Sequence, residues 1–266
     1  MAIFRPPLNP YTAGSHVFHN RQEAGQQLQA LLTNYRSDPN AVVIGLPRGG
    51  VVVAYYVARG LHLSLDITCP RKIGAPFNPE VAIGAITETG QGFFNEQLIA
   101  QLAIAPSYIH QLVEKEKKVA QARLQLYRKN HKKIPLNGKI AIVIDDGIAT
   151  GATMKAAIHS IRAEGAAKIV AAVPVASADA IEKLKHDADE LVCVATPSFF
   201  AAISQFYGSF AQVENEEVVD LLQRANTQPV EEALLEGVWK VSSSLLVCSV
   251  GFSLLETIGD RCGNIA

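Results

Sequence analysis

Apolar residues along the chain form short continuous runs, which alternate with segments in which apolar positions recur every three or four residues. The continuous runs are typical of strands buried on both faces, and they lie at 41–46, 63–69, 139–145, 168–174 and 190–194. The periodic segments are typical of amphipathic helices, and they lie at 21–32, 51–59, 153–164, 178–186 and 214–225. We expect the helix over 51–59 to end at Gly60. The alternation predicts an α/β fold with a mostly parallel central sheet flanked by helices.

A proline-rich segment interrupts this alternation after the second apolar run. Its three prolines predict a loop over 70–80. Beyond the loop, 81–87 and 92–95 have the pattern of two strands in a hairpin that turns at Thr89-Gly90. This region therefore predicts a loop followed by a β-hairpin.

A long helix is predicted over 107–130, with Ser107 as its N-cap. Lysine and arginine crowd its polar face, a pattern typical of a solvated helix surface. The alternative interpretation is an RNA-binding segment from Lys115 to Lys133, which predicts salt-dependent binding.

Composition narrows the class of protein. The 266 residues are 48% hydrophobic and 18% charged, as expected for a compact protein with a large core. The net charge of −1 provides no overall basic field, so we expect no nucleic-acid partner. The four cysteines form no C-x-x-C pair, which argues against a zinc cluster or a disulfide framework. The first residues contain no continuous apolar stretch typical of a secretory signal, so we expect a cytoplasmic protein.

The last forty residues differ from the rest of the chain. Thr227-Gln228-Pro229 is the predicted boundary, which divides a main domain at 1–226 from a C-terminal extension of unknown role at 227–266. Residues 241–255 carry no charge but include five serines, and they are fewer than the ~20 residues of a membrane-spanning helix. A packed element is favoured over a membrane anchor, and no membrane partner is expected.

The segment 141–153 carries the strongest chemical signal, because an apolar run leads into adjacent carboxylates and then into a Gly/Thr loop (AIVIDDGIATGAT). Ligands of open α/β sheets bind at the carboxyl ends of the strands. A Gly/Thr loop that opens a helix presents free N–H groups to a phosphate, and two acids suit sugar hydroxyls. The other sequence context of such an acidic pair, a Walker B strand, requires a Walker A loop, and the chain contains no G-x-x-x-x-G-K-[ST] motif.

This segment resembles the 5-phosphoribosyl-1-diphosphate (PRPP) motif of type I phosphoribosyltransferases at every position but Gly147, where a bulkier apolar residue is usual. The resemblance implies the type I fold with a small hood subdomain, and transfer of 5-phosphoribosyl from PRPP to a nitrogenous acceptor. It implies that Asp145 and Asp146 are catalytic and hold the ribose hydroxyls, directly or through Mg²⁺. The implied 5-phosphate loop consists of Ala149, Thr150, Gly151, Ala152 and Thr153.

Two further motifs extend the resemblance. The PRGG segment resembles the family's diphosphate loop, which implies a binding role for Arg48, Gly49 and Gly50. The RKIGAP segment resembles the mobile loop that closes over the diphosphate, which implies that Arg71 and Lys72 stabilise the leaving group. Family members often dimerise, so the resemblance is compatible with a homodimer.

The acceptor is not identified by the sequence. An acid that many 6-oxopurine enzymes carry before Thr-Gly is replaced by Ala149, which makes a 6-oxopurine acceptor less favoured. In the family, a variable hood near the C-terminal edge binds the base, and the resemblance makes Phe199, Phe200 and Tyr207 candidates to stack on a heterocycle there. Ordinary packing of these aromatics in the core is an equally favoured alternative. A PRPP-binding regulator without turnover also remains open. A PRPP synthetase is disfavoured, because the chain shows no second copy of the domain.

Overall fold

The computed structural model describes residues 17–90, 92–129 and 131–226, together with the backbone of 3–5. The strands of the described part are β1 (Ile3–Arg5), β2 (Ala41–Gly45), β3 (Ser64–Ile67), β4 (Arg71–Ala75), β5 (Asn78–Ile86), β6 (Gly92–Phe94), β7 (Ile140–Ile144), β8 (Lys168–Val175) and β9 (Glu190–Ala195). Its α-helices are α1 (Arg21–Leu31), α2 (Gly49–Leu61), α3 (Glu96–Gln101), α4 (Pro106–Arg128), α5 (Ala152–Ala163), α6 (Ala178–Leu184) and α7 (215–226).

A six-stranded sheet in the order β1-β9-β8-β7-β2-β3 forms the centre of the fold, and all its neighbouring strands are parallel. Strand β7 lies in the middle, and Ala141 through Ile144 are fully buried there. Two apolar clusters cover the two faces, one built with α1 and α2 and the other with α5 and α6. The predicted α/β fold is therefore confirmed, and its cause is that both faces of each central strand are apolar.

Strands β2 and β7 are adjacent, and their register pairs Gly45 with Ile144. These are the last residues of the two strands that precede the predicted ligand-binding loops. Because paired parallel strands end at the same edge, the PRGG and DDGIATGAT segments leave the sheet side by side.

Helix α2 is longer than the sequence pattern predicts, and the predicted end at Gly60 is wrong. The helix continues through Gly60 and ends before His62, which adopts the left-handed conformation at φ 56°. Val51, Val53 and Val57 are fully buried along it. Burial of this apolar face outweighs the weak helix propensity of valine and glycine.

The proline-rich loop predicted over 70–80 is wrong in its first half, since residues 71–75 form strand β4. Strands β4, β5 and β6 form a separate antiparallel sheet, here called the flap. Ile73 and Ile83 are fully buried in a small core that the flap shares with α3 and α4. Pro79 fits within β5 because the register shifts near it, between Gly74 and Ala75 of the partner strand.

The hairpin prediction is confirmed by the antiparallel pairing of β5 with β6. Gly90 lies in the connecting turn at φ +82°, a conformation that glycine adopts without strain. Helix α4 begins one residue earlier than predicted, and Ala105 rather than Ser107 is its N-cap. Pro106 occupies the first turn, where its fixed φ suits a helix start and its missing N–H costs nothing.

The basic face of α4 is not solvated throughout. Arg128 Nε lies 3.0 Å from Asp66 Oδ1. Lys133, just beyond the helix, has its Nζ 2.8 Å from Glu88 Oε1 and 2.7 Å from Glu164 Oε1. Burial alone would lower the pKa of Lys133, but hydrogen bonds to the two glutamates outweigh burial and raise it. The Arg128 ion pair thus links the end of α4 to strand β3, and Lys133 links the segment after α4 to two glutamates. The RNA-binding alternative stays a prediction.

The described residues provide no candidate for a transmembrane helix by length and apolarity. Cys69 and Cys193 are buried free thiols, and burial raises the pKa of each to about 12. The predicted domain boundary at 227 and the predicted packed element over 241–255 lie outside the described residues.

Candidate active site

The two predicted ligand loops are in direct contact at the edge of the sheet. A Cβ atom added to Gly49 would lie 2.0 Å from Asp146 Oδ2. One added to Gly50 would lie 2.8 Å from the Cα of Asp145 and 2.9 Å from the carbonyl oxygen of Ile144. Only glycine permits this approach, so the start of α2 rests against the carboxylate pair.

The carboxylate pair is partly buried and asymmetric. The amide N–H of Asp146 donates to Asp145 Oδ1 at 2.9 Å. Burial raises the pKa of Asp145 well above its usual range, and the neighbouring charge of Asp146 raises it further. The pair therefore binds a proton readily, and added positive charge stabilises its fully ionised form.

Arg21 supplies part of that charge, and sequence reasoning missed it. Its Nε donates to Asp146 Oδ2 at 2.8 Å, and its Nη1 donates to the carbonyl oxygen of Ala211 at 2.8 Å. Its guanidinium carbon lies 3.8 Å from the centre of the Phe210 ring. The side chain is 11% exposed, so the charge acts on the carboxylates with little screening by water.

We expect Arg21→Gln to shift the acid limb of the pH–rate profile to higher pH. The charge of Arg21 lowers the pKa of Asp145, so its removal raises that pKa further. Ionised carboxylates are the form that accepts hydrogen bonds from hydroxyls, so activity should rise with pH as the pair loses its proton. Steady-state rates between about pH 5 and 9 measure the shift. Arg36→Gln, at an exposed arginine, is the control. An unchanged profile in Arg21→Gln would contradict this role.

Tyr207 and Ile203 also contact the carboxylate segment. The Tyr207 hydroxyl donates to the backbone carbonyl oxygen of Asp146 at 2.6 Å. A Cβ on Gly147 would lie 2.6 Å from Ile203 Cγ2 and 3.1 Å from Val175 Cγ1. A larger side chain at 147 would therefore collide with the short 3₁₀ helix Ile203–Phe206, which explains why glycine fits at this position.

The three predicted hood aromatics have different environments. Phe199 is 74% exposed. Phe200 is partly buried, and its ring centre lies 4.9 Å from that of Phe206. Tyr207 is 2% exposed and packs against Phe18 and Phe210. A role for any of them in acceptor binding stays a prediction, and Phe199 presents the most accessible ring.

The predicted 5-phosphate loop ends in a helix start without a side-chain cap. Gly151 is the N-cap of α5 at φ +82° and has no side chain to accept from the first N–H groups. By contrast, α1, α3 and α6 are capped by the side chains of Asn20, Asn95 and Ser177. Ser177 also donates through Oγ to the carbonyl oxygen of Ala149 at 2.6 Å, which anchors the loop.

Helix α2 likewise begins without a side-chain cap, at Arg48. The Pro47–Arg48 peptide bond is cis. Arg48 Nη1 lies 3.6 Å from Glu214 Oε2, and both side chains are solvent accessible. Both α2 and α5 thus start without a hydrogen bond from an N-cap side chain, and each helix start favours an anion through its dipole.

A cavity of about 470 Å³ adjoins both loops, bounded by the flap, α4 and α5. Its lining includes Pro47 and Thr153 from the two loops, and the charged residues Arg71, Lys72, Glu116 and Arg123. Arg71 is held by Glu116, whose Oε2 lies 2.7 Å from Nε and 2.6 Å from Nη2. The fold therefore brings the predicted lid cations beside the end of the phosphate loop.

Arg123 is a third cation in this cavity, and sequence reasoning did not single it out. It lies on α4, 23 residues long, whose basic face has the pattern of a solvated surface. Glu116 was also missed, and it lies on the same helix. The sequence signal that could have indicated them is the length of α4, because a helix of 23 residues can contact several parts of the fold along one face.

Comparisons with known proteins agree with this architecture. The model of the phosphoribosyl transferase domain family matches residues 17–208. Two Mycobacterium tuberculosis proteins, each named "Putative phosphoribosyl transferase", are 41% identical over 220 residues, or 83% of this chain. The chain spans about half the length of these curated relatives, since the match covers 49% of each.

A solved structure shares both sequence and fold with the chain. The crystal structure of TT1426 from Thermus thermophilus is 40% identical, with a TM-score of 0.71. The similarity covers 77% of this chain and 97% of that one. From the family model and these relatives, the chain belongs to the phosphoribosyl transferase domain family, a family of enzymes.

Proposed function

We propose that the protein transfers the 5-phosphoribosyl group of PRPP to a nitrogenous acceptor and releases diphosphate. One observation carries the proposal. The helices α2 and α5 start without side-chain caps after the adjacent strands β2 and β7, and they flank the carboxylate pair at the end of β7. PRPP has an anionic group at each end of a sugar that carries hydroxyls. The order of the protein's binding groups matches the order of those groups in PRPP.

In this proposal, residues 149–153 bind the 5-phosphate through the N–H groups at the start of α5. Asp145 and Asp146 accept hydrogen bonds from the ribose hydroxyls. The segment 48–50 receives the diphosphate at the start of α2. Because Gly49 and Gly50 contact the two carboxylates, the proposed diphosphate site lies directly beside the proposed ribose site.

Mg²⁺ fits the chemistry of this site. Carboxylate oxygens are preferred magnesium ligands, and burial together with the neighbouring charge of Asp146 raises the pKa of Asp145, so a bound cation would stabilise the ionised pair. The described residues contain no cluster of three or more His, Cys, Asp or Glu side chains that could hold a metal. Asp145 and Asp146 would therefore share the ion with PRPP and water. When bound, Mg²⁺ neutralises negative charge on the substrate.

The cations of the flap and α4 act on the leaving group. The bond to diphosphate breaks ahead of bond formation in an oxocarbenium-like transition state, so negative charge grows on the diphosphate. Arg71, Lys72 and Arg123 stabilise that charge, and Glu116 holds Arg71 in position. The flap excludes water, which is the competing acceptor. No side-chain nucleophile is needed.

The proposed acceptor is a nucleobase, with 6-oxopurines less favoured. Ala149 has no carboxylate with which to exchange a proton with the base. Phe199, with 74% of its surface exposed, is the hood side chain best placed to stack on a planar ring.

We expect Arg123→Ala to lower kcat about 10- to 100-fold with a smaller change in KM for PRPP. The reason is that a charge which develops in the transition state loses a cation, a loss of roughly 2 kcal/mol. Steady-state kinetics measure the effect. Lys118→Ala on the same helix removes an exposed charge and is expected to change neither constant. Equal activity in the two variants would remove Arg123 from the mechanism.

The proposal is tested by incubating the protein with PRPP, Mg²⁺ and a pooled panel of purine, pyrimidine and pyridine bases. Mass spectrometry of the products then reports any new ribonucleotide. We expect one product mass, which identifies the acceptor. Intact PRPP, in protein shown by calorimetry to bind it, would contradict transfer to these bases and favour a PRPP-binding regulator.

A further inference from the structure

Helix α4 fixes the flap from one direction. The Tyr108 hydroxyl donates to the carbonyl oxygen of Gly74 at 3.2 Å, and Glu116 holds Arg71. The apolar core of the flap is shared with α3 and α4, and among the described residues it includes no side chain of α5. The flap and α5 therefore meet as separate surfaces, and the cavity assigned to diphosphate lies beside both.

An aromatic contact joins these two surfaces. The Phe93 ring of β6 stacks on the His159 ring of α5, with ring centres 4.3 Å apart and planes inclined by 21°. Phe93 is 42% exposed and does not belong to the apolar core of the flap. Because stacked rings are favoured beyond the area they bury, the position of the Phe93 ring depends on His159.

His159 is itself held in place by Asp187, in the segment after α6. His159 Nε2 lies 2.8 Å from Asp187 Oδ1, and Lys155 Nζ, one turn earlier on α5, lies 3.1 Å from Oδ2. Burial alone would raise the pKa of Asp187, but its contacts with His159 and Lys155 outweigh burial and lower it. Arg162 Nη2 donates to the backbone carbonyl oxygen of Asp187 at 3.1 Å. The ring that Phe93 contacts is therefore fixed in orientation.

The stack borders the same space as the proposed phosphate loop. A cavity of about 440 Å³ between the flap and α5 is lined by Thr150 and Gly151 as well as by Phe93 and His159. Lys72 of the flap lines both this cavity and the one assigned to diphosphate. Helix α5 carries the phosphate loop at its start and His159 roughly 12 Å further along its axis. The stack thus sets how closely the flap approaches this helix.

We propose that the stack of Phe93 on His159, oriented by Asp187, is a latch that holds the flap against α5 and positions the flap cations beside the phosphate loop. Phe93 and His159 are positioning residues that act through the flap. When the latch is broken, water reaches the site more often. Its oxygen bonds to C1 of PRPP, the bond from C1 to diphosphate breaks, and a proton passes to solvent. This effect on PRPP rests on the proposed function, whereas the hold on the flap does not.

Hydrogen–deuterium exchange of the full chain, read by mass spectrometry of its peptides, tests the latch without PRPP. We expect Phe93→Ala and His159→Ala each to speed exchange of the β5 amides about tenfold, while the amides of β7 stay protected. Both substitutions remove the same contact, so the double variant should exchange no faster than either single variant. Phe93→Tyr keeps the ring and should retain parental exchange. Phe77→Ala is the matched control, because Phe77 lies on the same flap and is 99% exposed.

Parental exchange in Phe93→Ala, additive effects in the double variant, or an equal rise in Phe77→Ala would each overturn the latch. In the PRPP assay, kcat for Phe93→Ala should fall about tenfold with a smaller change in KM, and a larger share of PRPP should be recovered as ribose 5-phosphate. Phe93→Tyr should restore both. Unchanged kcat in a variant with faster flap exchange would overturn the positioning role. A parental protein that leaves PRPP intact would contradict the proposed function, and the exchange experiment would still decide whether the latch exists.

Discussion

Replacing Asp145 and Asp146 together by asparagine is expected to lower kcat/KM for PRPP at least about 1,000-fold while the protein stays folded. The substitution keeps the shape of both side chains but removes the charges that, in the proposed function, accept from the ribose hydroxyls and share Mg²⁺.

Stability is expected to change little in this double variant because two effects oppose each other: the ion pair of Asp146 with Arg21 is lost, and the repulsion within the carboxylate pair is relieved. Burial and the charge of Asp146 raise the pKa of Asp145, so the fold disfavours the fully ionised pair and its neutralisation removes a repulsion. Thermal unfolding and PRPP-dependent rates measure the two effects separately. Asp179→Asn with Asp220→Asn, at exposed positions, is the control for the charge change. A double variant at positions 145 and 146 that retains parental activity would contradict the assignment of the site.

Gly49→Ala is expected to reduce kcat/KM for PRPP about 100-fold, more than its effect on stability would explain. The new Cβ would lie 2.0 Å from Asp146 Oδ2, so the carboxylate must rotate away from Arg21 Nε. Misplacement of a binding group by about 1 Å can cost roughly that factor. The same steady-state assay reports the loss, and denaturant unfolding shows whether the loop still folds.

Gly60→Ala is the matched control on the same helix. Its Cβ would also make a close contact, 2.7 Å from Gln29 Cδ, but that atom belongs to a flexible side chain that can move. Alanine inside a helix is favoured over glycine by up to about 1 kcal/mol, so stability should hold or rise. We expect parental activity for Gly60→Ala. If Gly49→Ala behaved in the same way, the contact between the two loops would have no role in PRPP use.

The sequence pattern predicts the central sheet well because each strand there is apolar on both faces. Strand β7 is the clearest case, with Ala141 through Ile144 fully buried. The flap was harder to predict, since Arg71–Ala75 is a short strand flanked by prolines. Its extended conformation depends on pairing with β5, which the local sequence pattern does not indicate. Burial of the valines of α2 similarly extends that helix past Gly60.

The candidate site was predictable where its residues are contiguous. Residues 145–153 form one strand end and one loop, so their proximity follows from the backbone alone. Arg21 and Tyr207 lie 125 and 61 positions from Asp146, and no local pattern connects them to it. Arg123 was hidden because a basic helix face has the same sequence pattern whether it meets solvent or a cavity. A cytoplasmic location and a homodimer stay predictions.

A crystal structure of the full chain with PRPP and Mg²⁺ tests the central claim most directly, because the claim is a set of contacts. We expect the ribose hydroxyls at Asp145 and Asp146, the 5-phosphate within 149–153, and the diphosphate between 48–50 and the cavity that Arg123 lines. Density for PRPP at another place, or its absence at saturating concentration in crystals that leave this edge open, would contradict the account.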